Sequence, residues 1–346
     1  MIDYKAAGVD IDTGNEIVNR IKRRVKQTFS SNVLTDLGGF AGLYDLKTLV
    51  NQYEHPVLVQ SIDGLGTKPI IAKLAGNYQY LGYDLLSATA NDIIVVGAKP
   101  LVLLDYVASA KLDANIIETI INSMCRACQE NDVSLIGGET AEMPGVYQTG
   151  EIDIAGIITG IVDKNKVIDG RFIQPGDSVY GLASSGLHTN GYSLARKLIF
   201  ETAKLTVDDN LPGSTLTIGE ALLAPHINYF KFVDFMLSHA LEIKGMAHIT
   251  GGGLLENVPR ILPAHCSVRL QIKGWPTLPI FDLLKNIEPL PIQDLYRTFN
   301  MGIGYVLIID SKQASHLEKL AKELGTYHLY KIGEVISGKQ EVELCS

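Results

Sequence analysis

The sequence is short of cysteine. Its four, Cys125, Cys128, Cys266 and Cys345, are too few and too irregularly placed for a disulfide framework. Cys125 and Cys128 form a C-x-x-C, but they fall inside a helix-like run from Ala114 to Glu130. No second C-x-x-C completes a zinc site, so an inert helical pair is expected. Basic charge is also scarce: 30 Lys and Arg stand against 38 Asp and Glu, a net charge of -8. Nucleic-acid surfaces carry a basic excess, so that class is disfavoured, whereas a small phosphate ligand is not. No apolar run reaches the ~18 residues of a membrane span. The opening MIDYKAAGVDID lacks the basic and then apolar pattern of a signal peptide. A cytoplasmic protein with no membrane partner is the expectation.

Glycine is in excess. It supplies 33 of 346 residues, above the average share of about 7%. Its positions decide whether it means flexibility or shaped loops. Gly38-Gly39 with Gly42, Gly64 with Gly66, Gly137-Gly138 and Gly251-Gly252-Gly253 form four dense groups beside polar residues. Glycine lets backbone amides approach and point at an anion, and tight turns are the competing reading. The standard nucleotide fingerprints are missing. There is no P-loop pattern, and no G-x-G completes G-x-G-x-x-G, so a Rossmann dehydrogenase is disfavoured.

The length suggests two domains at about 150 residues each. Thr13 and Glu16 fit a helix capping box, with Ile17, Ile21 and Val25 as the apolar stripe behind it. Strands are predicted at 56–63, 101–107, 133–136, 152–162, 179–183 and 302–310. Helices are predicted at 81–96, 114–131, 192–202, 227–239 and 311–324. Strand and helix alternate, so the class is α/β or α+β. The charged stretch 163–177, with its Pro175-Gly176 turn, marks a domain boundary, and the domains are taken as 1–168 and 169–346.

Asp63 ends an apolar strand and opens SIDGLGTK. There it either holds Mg²⁺ beside phosphate, with Lys68 as a point charge, or caps local amides. Asp92 lies in ATANDIIVVG, where an ionised carboxylate among apolar neighbours needs a partner or a metal. Glu139 and Glu142, in GGETAEMPG, read as loop carboxylates. Lys22 and Lys26 lie on the basic face of the first helix, either solvated or reaching phosphate. His188, in ASSGLHTNGYS, and His248, in AHITGGGLLEN, sit in strand-to-helix loops where imidazole serves as acid, base or phosphate partner.

These residues lie within longer stretches that closely resemble the phosphoribosylformylglycinamidine cyclo-ligase (aminoimidazole ribonucleotide synthetase) family. The stretches are YKAAGVDIDTGN, GGFAGLYDL, DGLGTK, NDIIVVGAKPLVLLDYVASAKLD, LIGGETAEMPGVY, LASSGLHTNGYSL, AHITGGGLLENVPR and YRTFNMGIGYV, in the family's order from Tyr4 to Val306. The resemblance implies ATP- and Mg²⁺-dependent closure of the imidazole ring of formylglycinamidine ribonucleotide, in purine biosynthesis. It also implies a homodimer in which N-terminal mixed sheets pair into a barrel-like core, followed by an α/β C-terminal domain.

Carried over by position, Asp63 and Asp92 would hold Mg²⁺. Lys22, Lys26, Gly64, Gly66, Thr67, Lys68, Gly137, Gly138 and Thr140 would hold ATP. Glu139, His188 and His248 would be catalytic, and Ser185, Asn190, Thr250, Gly251 and Gly252 would face the substrate. Leu187, Thr189 and Pro69 depart from the family pattern, and Pro69 could alter the start of the helix after the phosphate loop. A selenophosphate synthetase would carry an N-terminal cysteine, whereas the first here is Cys125. A catalytically dead scaffold would not need Asp63, Lys68, Asp92, Glu139 and both histidines.

Overall fold

The computed structural model describes residues 8–345. Tyr4–Ala7, at the start of the first matching stretch, lie outside them. The chain divides into two compact units, one running through Ile93 with Ala98–Asn165, the other comprising Ile94–Gly97 and the chain from Lys166.

The first unit carries α1 (Ile11–Lys26), α2 (Lys47–Val50), β1 (Pro56–Gly64), α3 (Lys68–Ala75), α4 (Leu81–Ile94), β2 (Lys99–Ser109), α5 (Ala114–Glu130), β3 (Ser134–Glu142) and β4 (Ile152–Asp163). Its sheet has the order β1-β4-β2-β3. β4 runs antiparallel to both neighbours, while β2 and β3 are parallel, so the sheet is mixed. α1 buries Ile17, Ile21 and Val25 and packs on α5. It begins earlier than the expected capping box. Asp10 is the N-cap, and its carboxylate accepts from the amides of Asp12 and Thr13. Thr13 is thereby already inside the first turn, where its hydroxyl no longer caps.

α5 buries Cys125 and Cys128. Burial pushes the Cys125 thiol up to about 12 and Cys128 well above its ordinary value. Neither forms thiolate at neutral pH, so the C-x-x-C is chemically quiet. Pro69 falls in the first turn of α3, where its fixed φ and missing amide are tolerated, so the helix start is intact.

The second unit carries β5 (Ser178–Ala183), α6 (Tyr192–Arg196), α7 (Ile218–Leu222), α8 (Phe230–Ser238), β6 (Ile243–His248), α9 (Gly253–Asn257), β7 (Cys266–Gln271), α10 (Pro279–Ile287), α11 (Ile292–Thr298), β8 (Ile303–Ile309), α12 (Ala314–Leu324), β9 (Leu329–Ser337) and β10 (Val342–Cys345). Beyond Arg196, α6 continues as a π-helix over Lys197–Thr202. The sheet order is β10-β7-β9-β5-β8-β6. β8 is buried along its whole length and runs antiparallel to both β5 and β6. β5 and β6 are therefore parallel to each other, and both open at the same end of the sheet. That topology brings together two loops distant in sequence, one ending at α6 and the other at α9.

Candidate active site

In the first unit the candidate groups gather on β1 and α4. Burial along β1 alternates: Leu58, Gln60 and Ile62 face outward, and Ser61 and Asp63 face inward. Asp92, in the last turn of α4, accepts a hydrogen bond from the Ser61 hydroxyl at 2.8 Å. Asp63 and Asp92 therefore belong to the face of β1 that α4 covers, and both are half-buried. Asp63 accepts from the Gly64 amide at 2.7 Å. That amide is directed at the carboxylate, so Gly64 differs from the expectation of a free phosphate donor. Gly66 is exposed, at φ 52°, and Thr67 precedes α3.

Lys68 differs most from expectation. It is fully buried, with its Nζ 2.6 Å from Oδ2 of Asp84, itself fully buried. Burial pulls the Lys68 ammonium down, and Asp84 opposes that shift. A lysine expected as a point charge beside phosphate is half of an interior ion pair. Lys22 and Lys26 both reach Asp36, at 3.6 and 2.8 Å. The hydrogen bond from Lys26 lowers the Asp36 carboxyl below its ordinary value. The basic face of α1 is thus tied to the segment leading into Gly38-Gly39.

The GGETAE segment is not a loop. Gly137, Gly138, Glu139 and Thr140 continue β3, paired in parallel with Leu104 to Val107 of β2. A double glycine reads as a strand end, but here it makes room. A Cβ on Gly138 would fall 2.1 Å from Oδ1 of Asp105. Glu139 is exposed on this edge strand, whereas Glu142 accepts from the Asp10 and Leu112 amides and so fastens the chain before α1.

Asp105 itself escaped the sequence reading, although a carboxylate in the middle of an apolar strand is a readable signal. Burial raises its pKa from 3.8 to about 7. Because the folded value lies above the unfolded one, wild-type stability falls as pH rises from about 4 to about 7. Asp105→Asn is therefore expected to stabilise the protein at pH 8 and to change little at pH 4. Denaturant midpoints at the two pH values check this, and equal effects at both would contradict it.

In the second unit, His188 and His248 come together from the ends of β5 and β6. His188 is fully buried and adopts φ 60°. Its Nε2 accepts from the Ser185 amide at 3.3 Å. Glycine at 304 is required here, since a Cβ would lie 2.5 Å from the His188 ring and 2.1 Å from the Tyr229 hydroxyl. The Ser185 hydroxyl donates to the Pro225 carbonyl. Asn190 donates to the Thr189 hydroxyl at 3.4 Å, and its Oδ1 lies beside Gly251.

Two asparagines shape these loops, and neither was assigned a role from the sequence. Asn257 donates to the carbonyls of Thr250, Gly251 and Gly253. Asn300 accepts from Ser184 and Gly302 and donates to Gly186. A third residue missed in the sequence is His226, fully buried between the two predicted histidines. It sits in a loop without neighbouring glycines, which leaves no local signal.

Two family models match the chain: the AIR synthase related protein N-terminal domain over residues 45–162 and its C-terminal domain over residues 174–345. The phosphoribosylformylglycinamidine cyclo-ligase of Carboxydothermus hydrogenoformans is 45% identical over 341 residues, covering 99% of this chain and 98% of that one. The chain belongs to this family. The cyclo-ligase of Acetivibrio thermocellus is 46% identical over 347 residues and covers 100% of both chains. The crystal structure of the hydrogenase maturation protein HypE in complex with ATP superposes with a TM-score of 0.65, covering 96% of this chain and 90% of that one. At 18% identity that likeness speaks to the fold alone. No helix among the described residues is long and apolar enough to cross a membrane.

Proposed function

We propose that the protein is an ATP-dependent cyclo-ligase of purine biosynthesis. It converts formylglycinamidine ribonucleotide to aminoimidazole ribonucleotide with release of ADP and phosphate. The observation that carries this reading is its similarity, over almost the whole chain, to proteins named for that reaction. The chemistry follows from a poor leaving group. The formyl oxygen takes the γ-phosphoryl group of ATP, the substrate's own amine attacks the formyl carbon, and the C–O bond breaks with phosphate leaving. The protein's part in such a reaction is positioning and charge stabilisation.

The first unit is assigned to ATP and the second to the substrate, with a boundary near residue 168. Asp63 and Asp92 would hold Mg²⁺. No cluster of three or more metal-ligating side chains occurs among the described residues. That fits Mg²⁺, which takes one or two carboxylates and completes its shell with phosphate oxygens and water. When bound, it would neutralise charge on the transferring phosphoryl group. Gly66, Thr67, Gly137, Gly138 and Thr140 are assigned to ATP, as are Lys22 and Lys26 on release from Asp36. Glu139, His188 and His248 are assigned to proton handling. Ser185, Asn190, Thr250, Gly251 and Gly252 are assigned to the substrate. Lys68 is assigned to ATP only through exchange of its Asp84 partner.

The tracer for this sequence of events is ¹⁸O in the formyl group of the substrate. The label is expected in inorganic phosphate. Label released as water with unlabelled phosphate would overturn the phosphorylated-amide step.

A homodimer is part of the same reading. The outward face of the first sheet is apolar, with Leu58 57%, Ile62 67%, Leu104 38% and Ile157 39% exposed. Ile62 pairs with Ile157, and Ile157 with Leu104, so three of them form one row across three strands. Contiguous apolar surface of this kind is a docking face. Sedimentation at micromolar concentration is expected to give a dimer, and Ile62→Asp a monomer with unchanged secondary structure. A monomeric wild type would contradict the paired-sheet assembly. A cytoplasmic location accompanies this assignment.

A further inference from the structure

His226 stands at the centre of a buried imidazole cluster. Its Nε2 lies 3.1 Å from Nε2 of His248, and its Nδ1 lies 3.3 Å from the Thr189 hydroxyl. Its ring stacks on His188, with centroids 4.1 Å apart and planes 21° from parallel. All three rings are nearly shut off from solvent: His188 and His226 are 0% exposed and His248 5%.

Two imidazole nitrogens at hydrogen-bonding distance need one proton between them. With none, two lone pairs face each other, and with two, the hydrogens collide. One ring therefore donates and the other accepts. Thr189 is coupled to the choice. Its hydroxyl accepts from Asn190 and faces Nδ1 of His226, to which it can give its hydrogen or from which it can accept one. When Thr189 donates, His226 carries its proton on Nε2 and donates it to His248, whose own proton then sits on Nδ1. If His248 gains a proton at Nε2, His226 must shift its own proton to Nδ1 and donate to Thr189 instead. Protonation of His248 is thus tied to the tautomer of His226.

We propose that His226 is a positioning residue for His248, sharing one proton with it and setting when His248 takes up a second. This rests on the cyclo-ligase reading, in which His248 handles a proton at ring closure. His226 is fully buried and acts through its neighbour. His248 ends β6 and leads into the Thr250–Gly253 segment. The stacked His188 adds a limit. Two cationic rings about 4 Å apart in a weakly screened interior would repel strongly. Titratable groups that face the rings include Tyr229, which precedes α8, and Tyr305 of β8. Burial drives the Tyr229 phenol well above its ordinary value, so it stays neutral. Tyr192 of α6 donates to the His188 carbonyl.

The test uses the full-length protein and two variants. His226→Phe keeps an aromatic ring but removes both nitrogens. His226→Gln restores one N–H donor without the tautomer shift. His226→Phe is expected to lower kcat about 100-fold, to leave the KM for ATP unchanged, and to move the acidic limb of the kcat–pH profile. His226→Gln is expected to recover part of kcat but not the wild-type limb. Nitrogen NMR of the ¹⁵N-histidine-labelled wild type, without substrate, should show one protonated and one unprotonated Nε2 in the pair near neutral pH. Wild-type kcat and pH profile in His226→Phe would overturn the proposal, as would two unprotonated or two protonated Nε2 atoms. A wild type that closes no imidazole ring would sink the cyclo-ligase reading and the proposed role with it, while the nitrogen spectra would still report the proton pairing on their own.

Discussion

Lys68→Met is expected to destabilise the first unit by about 3–5 kcal/mol, the usual cost of stranding one member of a buried ion pair. Lys68 and Asp84 are each fully buried, and their charged atoms lie 2.6 Å apart. Methionine matches the length of the lysine stem but leaves the Asp84 carboxylate facing an apolar group. The double variant Lys68→Met/Asp84→Leu removes both charges and is expected to recover most of the loss, since well-packed apolar replacements of buried pairs are often neutral or better. Urea denaturation of the three proteins checks both statements. A single variant within about 1 kcal/mol of wild type, an effect typical of exposed pairs, would show that the pair does not hold α3 to α4. The same comparison bears on ATP. If Lys68 reaches phosphate, the double variant should fold well and still lose activity.

Asp92→Asn is expected to lower the rate of ring closure by about 100-fold, in the range seen when one preorganised electrostatic partner is removed. The change is nearly isosteric, and the asparagine oxygen can still accept from Ser61, whose hydroxyl lies 2.8 Å from Asp92 Oδ2. Folding should therefore survive while a negative charge disappears. The signature is a higher Mg²⁺ requirement together with the lower rate. Asp63→Asn is expected to act in the same direction. Turnover of Asp92→Asn near wild type at low Mg²⁺ would remove this carboxylate from the metal assignment.

Much of the architecture was legible because it rests on local pattern. β1, β2, β4 and α5 fall close to their predicted ranges, since each is marked by a local apolar pattern, helical in α5 and a continuous buried run in β2. What failed depended on partners distant in sequence. The double glycine of β3 reads as a stop, yet parallel pairing with β2 carries the strand through to Glu142. β9 was missed because its burial does not alternate. Its pairing with β5 shifts register between Val179 and Tyr180, which places buried Ile332 and Val335 three residues apart.

The candidate site divides in the same way. Asp63, Asp92, His188 and His248 stand out by residue type beside strand ends or glycines. The burial of Lys68 could not be read, because Asp84 lies on another helix. His226 could not be read either, because its meaning comes from β5 and β6 opening on the same end of the sheet. The glycine excess is largely accounted for by close approach, as at Gly138 beside Asp105 and Gly304 beside His188.

One measurement bears on the central claim most directly. The purified protein is mixed with ATP, Mg²⁺ and formylglycinamidine ribonucleotide, and all three products are followed. The cyclo-ligase assignment predicts aminoimidazole ribonucleotide, ADP and phosphate in equal amounts, with no ADP formed when the ribonucleotide is left out. ATP binding or hydrolysis that proceeds without the aminoimidazole product would contradict it.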